Sequence, residues 1–91
     1  MEARFVAQLK KAEALMDSAK EEFKKYNTRY DMTAGVDGSV KVYVNWGDWK
    51  HDHMLIEQVF KGLGARSLWT DITEEDGSDC YSAVHCFIKC G

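Results

Sequence analysis

Two short turn signatures constrain this chain more than any other feature. Val36-Asp37-Gly38 and Glu75-Asp76-Gly77 each lie between two strand-like runs. A three-residue hairpin loop that closes on a left-handed glycine sets which residues face each other across the strands, and so which side chains share a face. For the first turn this register pairs Ala34 with Val40, Met32 with Val42 and Tyr30 with Val44, gathering six apolar side chains on one side. A two-residue Asp-Gly loop would set Asp31 opposite Val44 and mix the faces, so the three-residue register is preferred. Applied to residues 65–73 and 79–89, the same logic pairs Ile72 with Cys80, Thr70 with Ser82 and Leu68 with Val84. It places Trp69, Asp71, Tyr81, Ala83, His85 and Phe87 on the other face.

Two helical patterns interleave with these hairpins. Over residues 2–26, Phe5, Leu9, Ala12, Met16, Ala19, Phe23 and Tyr26 recur in alternating steps of four and three, an amphipathic stripe with a Lys- and Glu-rich back. The stripe fits a coiled coil or a seat on a sheet, and the strands' need for a cover favours the sheet. Asn27 suits a left-handed stop. Asp48 is the expected N-cap of a second helix from Trp49 to about Lys61, with Leu55, Ile56, Val59, Phe60 and Leu63 as its stripe and Gly62 and Gly64 at its end. The expected fold is a single α+β domain spanning residues 1–91, ordered α-β-β-α-β-β. It has an antiparallel-rich four-stranded sheet with both helices on one face.

Size and charge narrow the function. A chain of 91 residues forms one core, and a deep substrate pocket would compete with it. The net charge of −3 is uneven: residues 1–45 hold eight basic and seven acidic side chains, residues 46–91 four and eight. The second half would repel nucleic-acid phosphates and suits a basic partner. Cys80, Cys86 and Cys90 are odd in number, and same-face neighbours along one strand lie too far apart to bridge, which suggests reduced thiols and a cytoplasmic setting. No apolar run is long enough to cross a membrane, and the N-terminus lacks a secretory signal's apolar core.

Chemistry-bearing residues are few. His51 and His53 diverge on a helix, so a zinc site would need the helix to start later, at Asp52, and a third ligand such as His85 or a cysteine to come close. His85 and Cys86 face opposite sides of a strand and cannot act as base and nucleophile. The acidic run Asp71, Glu74, Glu75, Asp76 and Asp79 fails the calcium-loop spacing, since aligning Gly77 puts Ile72 and Ala83 at ligand positions. No nucleophile elbow, phosphate loop or dinucleotide fingerprint occurs.

The reading is therefore a non-catalytic binding protein without a cofactor: an inhibitor, adaptor or regulator that presents a surface to a macromolecular partner. Its expected contact residues are Tyr43, Trp69, Tyr81, His85 and Phe87 on an uncovered sheet face, with Glu74, Glu75 and Asp76 at an acidic tip. A basic, nucleic-acid-handling protein is the partner such a surface suits, as for small inhibitors carried by mobile elements. Self-association through the same face is a second use, and direct nucleic-acid binding is disfavoured by the charge. The alternative function is a zinc-binding domain built from His51, His53, His85 and a cysteine.

Overall fold

The computed structural model describes residues 2–45, 49–74 and 81–89, with side chains at 2–44, 51–73 and 82–89. The element order is α1 (Ala3–Lys25), β1 (Asp31–Ala34), β2 (Ser39–Asn45), α2 (Trp49–Gly62), β3 (Ala65–Glu74) and β4 (Tyr81–Lys89). The strands form one antiparallel sheet in the order β1-β2-β4-β3. This is the expected α+β architecture.

Local chemistry accounts for the element boundaries. Helix α1 ends where Asn27 adopts φ 57°. The Thr28 N–H then donates to the Phe23 carbonyl and the Asn27 N–H to that of Lys24, satisfying carbonyls that the helix end would otherwise orphan. The first hairpin has the expected register, with Met32 opposite Val42 and Ala34 opposite Val40. Gly38 sits at φ 86°, and Asp37 accepts hydrogen bonds from the Ser39 N–H at 3.1 Å and the Ser39 hydroxyl at 2.6 Å. These bonds to the ionised form hold the Asp37 carboxyl below its usual range. Gly64, at φ 81°, follows α2. The expected cap Asp48 lies outside the described residues.

The core occupies one side of the sheet. Ala12, Leu15, Ala19 and Phe23 of α1 and Leu55, Ile56, Val59 and Phe60 of α2 meet Val40, Val42, Val44, Ala83 and Phe87 of the central strands. Phe60 and Phe87 stack at 4.2 Å, and Phe23 meets Tyr30 edge-on at 4.9 Å. Tyr26 departs from the expected stripe. It caps α1 rather than continuing it and is 51% exposed, while Leu15 takes a core position.

The second hairpin departs further. Thr70 opposes His85, Asp71 opposes Val84 and Ile72 opposes Ala83, with a bulge between Ser67 and Trp69. The pairing is displaced by three residues from the expected one. An odd displacement exchanges the two faces of a strand, so β4 is turned over relative to the sequence reading. Ala83, His85 and Phe87 point at the helices, while Val84, Cys86 and Ile88 point away.

Candidate functional site

The register defines the open face row by row, because residues directly opposite each other in neighbouring strands share a side. One row runs Thr33, Lys41, Cys86, Trp69, and the next runs Asp31, Tyr43, Val84, Asp71. Neither row carries a helix. Trp69 is 42% and Tyr43 36% exposed, and the Lys41 ammonium lies 5.6 Å from the Trp69 ring centroid. Cys86 sits between the two in the row and is a buried, free thiol. It shares a side with Lys41 and Trp69, whereas the sequence reading put it under the helices.

Of the residues expected on this face, Tyr43 and Trp69 are there with Lys41, Asp31 and Asp71. His85 and Phe87 are not: they are 1% and 0% exposed and belong to the side under the helices. The cause is the displaced register. The side chains of Glu74 and Tyr81, and residues Glu75, Asp76, Cys80 and Cys90, lie outside the described residues.

Strand β3 forms one edge of the sheet, and each side chain from Arg66 to Thr73 is exposed. Leu68, Trp69 and Ile72 are exposed along it at 44%, 42% and 38%, Trp69 on the open face and Ile72 on the side of its partner Ala83. A long edge strand offers unpaired backbone N–H and C=O groups for strand addition. The bulge at Leu68 twists one end, and Asp71 adds a charge.

A second grouping lies under the sheet, where α2 crosses β4. His53 and Glu57 are four residues apart and so share one helix face. With His85 from β4, each offers a ligand atom, and these atoms all lie within 4.8 Å of one another. The two imidazoles are tilted at 38° with centroids 5.1 Å apart. Burial holds the His85 imidazole below its ordinary value of 6.5, and the neighbouring His53 adds to this, while Glu57 and Asp52 pull the other way. His85 Nδ1 lies 3.4 Å from the Thr70 hydroxyl, and His53 Nδ1 is buried with no hydrogen-bond partner. Asp52 accepts a 2.7 Å hydrogen bond from the Tyr30 hydroxyl, whose pKa burial and this bond push up to about 12.

This grouping keeps part of the expected ligand set. His53 and His85 come together, but α2 begins at Trp49 and not at Asp52, so the condition under which His51 would join them is not met. His51 is exposed and outside the trio, as its divergence on a helix implied, and Cys86 faces the opposite side of the sheet. Sequence reading missed Glu57. Its signal was the i,i+4 spacing from His53, overshadowed by the more conspicuous histidine pair.

No known protein family, no curated protein and no solved structure matches this chain. Among the described residues, no helix is long and apolar enough to cross a membrane.

Proposed function

We propose that this protein is a non-catalytic binding module that engages a basic partner protein through the open sheet face and the adjoining β3 edge. The observation that carries the reading is the exposure of Leu68, Trp69 and Ile72 along an edge strand whose hairpin holds five acidic residues against Arg66 and Lys89 at its base. Residues 67–88 contain Asp71, Glu74, Glu75, Asp76 and Asp79 and no Lys or Arg. Apolar anchors supply binding energy once desolvated, and the acidic field steers a basic surface toward them and repels nucleic-acid phosphates. Basic, nucleic-acid-handling proteins fit such a surface, which makes inhibition or regulation of one the expected outcome of binding. A buried free thiol at Cys86 supports a reducing, cytoplasmic setting.

The test uses the full chain as bait, with Trp69→Ala and Asp71→Lys as parallel baits. A partner retained by the wild type is then purified, and its affinity is measured by calorimetry at rising salt. Trp69→Ala should cost about 2 kcal/mol or more, roughly 30-fold in affinity. Asp71→Lys should reduce the association rate and its salt dependence. Unchanged affinity for Trp69→Ala would remove this face from the interface. Concentration-dependent sedimentation of the wild type alone, lost in Trp69→Ala, would assign the face to self-association instead.

A further inference from the structure

We propose that His53, Glu57 and His85 form a zinc site that ties α2 to β4, on the side of the sheet opposite the binding face. Three ligand atoms from two elements lie within 4.8 Å of one another. The donor set is two imidazole nitrogens and one carboxylate oxygen, which suits a first-row divalent metal and disfavours magnesium or calcium, both of which prefer all-oxygen shells. Zinc takes such sets tetrahedrally, with bonds of about 2.0–2.2 Å that put its donors about 3.4 Å apart. Closing from the observed separation needs side-chain rotations of the order of 1 Å at His53 and Glu57, both only partly buried. The fourth position is left for water or for a ligand brought by a partner.

Two further observations favour a metal over a chance meeting. The buried Nδ1 of His53 has no hydrogen-bond partner, and an orphaned buried polar atom calls for a water or an ion. The contact from Thr70 reaches His85 at Nδ1, leaving Nε2 for coordination in the way outer-shell partners orient metal-bound histidines. The group nearest to a competitor is the Lys61 ammonium, 3.8 Å from the Glu57 carboxylate and itself 70% exposed. An ion pair of that length with its ammonium in solvent is weak and yields readily to a divalent ion.

The experiment titrates chelator-stripped full-length protein with zinc and, separately, with cobalt, near neutral pH. The expected result is one metal per chain by elemental analysis after gel filtration. Melting temperature should rise with zinc concentration, and cobalt should give visible bands of a four-coordinate site without a thiolate charge-transfer band. Glu57→Gln should weaken binding by about tenfold or more, and His53→Ala by about 100-fold or more, since even outer-shell losses commonly cost 10–100-fold. Both residues are partly exposed, so the variants should keep the wild-type far-ultraviolet circular dichroism. His51→Ala should bind as the wild type does. The proposal is overturned by failure to bind one equivalent, by wild-type affinity in His53→Ala or Glu57→Gln, by loss of binding in His51→Ala, or by a thiolate band. None of these outcomes depends on a partner, so they leave the binding-face reading standing or falling on its own test.

Discussion

The β1–β2 and β3–β4 hairpins share a sequence recipe: two strand-like runs around an Asp-Gly turn. One folds in the register that the turn dictates and the other does not. In β2, Val40, Val42 and Val44 alternate with Lys41 and Tyr43, so only one face qualifies for the core. The turn and the alternation therefore give the same answer. In β4, Ala83, His85 and Phe87 alternate with Val84, Cys86 and Ile88, and either set could be buried. There the turn had to decide alone, and the pairing that forms is three residues away from it. Position in the sheet does not separate them, since β2 and β4 are both interior strands; the difference is that β4 is apolar enough to be buried on either face and β2 is not. Phe87 and Cys86, adjacent and on opposite faces, are both at 2% exposure or less.

The largest expected effect tests which way β4 faces. Phe87 stacks on Phe60 at 4.2 Å, so Phe87→Ala and Phe60→Ala should each cost about 3–5 kcal/mol in chemical denaturation. Under the register that the turn suggested, Phe87 would lie on the open face and its truncation would be mild. A Phe87→Ala variant that melts like a surface control such as Lys11→Ala would restore that register.

The next effect isolates the hairpin that behaves as expected. Gly38 has φ 86°, and a Cβ there would stand 2.8 Å from the Gln8 side-chain oxygen. Gly38→Val forces a β-branched residue into the left-handed region, at a cost on the order of 1–2 kcal/mol from the backbone. The Gln8 side chain can turn away, so the backbone conformation dominates. A denaturation midpoint equal to that of wild type would show that the turn does not fix the β1–β2 register.

Acid should act on the β4 side of the comparison. His85 is buried neutral, and its pKa lies below the 6.5 of an unperturbed imidazole. As pH falls through about 6.5 the unfolded chain takes up a proton at this ring that the folded chain resists. The contribution of His85 is therefore complete above that pH and is lost progressively as pH drops toward the folded value. With a chelator present, denaturation midpoints at about pH 7.5 and 5.5 should differ more for wild type than for His85→Gln. Equal differences would mean that His85 is not the group responsible.

The sequence made most of the fold legible wherever two independent signals coincided. The α2 stripe, the Asn27 stop and the Gly38 turn each combined periodicity with a special backbone residue. The α1 stripe was legible at Ala12, Ala19 and Phe23 but left out Leu15 and ran on to Tyr26, because a 3.5-residue period continues on paper where the helix has already been capped. The open sheet face was legible at Tyr43, Trp69 and Asp71, and illegible at His85 and Phe87. A strand's facing depends on its partner's register, which its own residues do not contain. The His53–Glu57–His85 grouping was half legible for a related reason. Helical spacing separates His51 from His53 and joins His53 to Glu57, but only the turned-over β4 brings His85 beneath α2.

The smallest expected effect on stability separates the two faces most directly. Cys86 sits in the sheet row between Lys41 and Trp69, and it is buried although no helix lies on that side. Its protection then depends on the Trp69 ring and the lysine beside it, an exposed cation–π pair worth about 0.5–1 kcal/mol. In a Cys80→Ser, Cys90→Ser background a single thiol remains, and it should react slowly with a thiol reagent in the folded protein. Trp69→Ala should make that reaction several times faster while changing stability by no more than about 1 kcal/mol, since the ring is 42% exposed and leaves no enclosed cavity. The opposite facing of β4 predicts a different pair of results: Cys86 would lie beneath the helices, and removing Trp69 would leave its labelling unchanged. Slow labelling that Trp69→Ala does not accelerate would therefore return Cys86 to the helix side and undo the open face on which the binding surface depends.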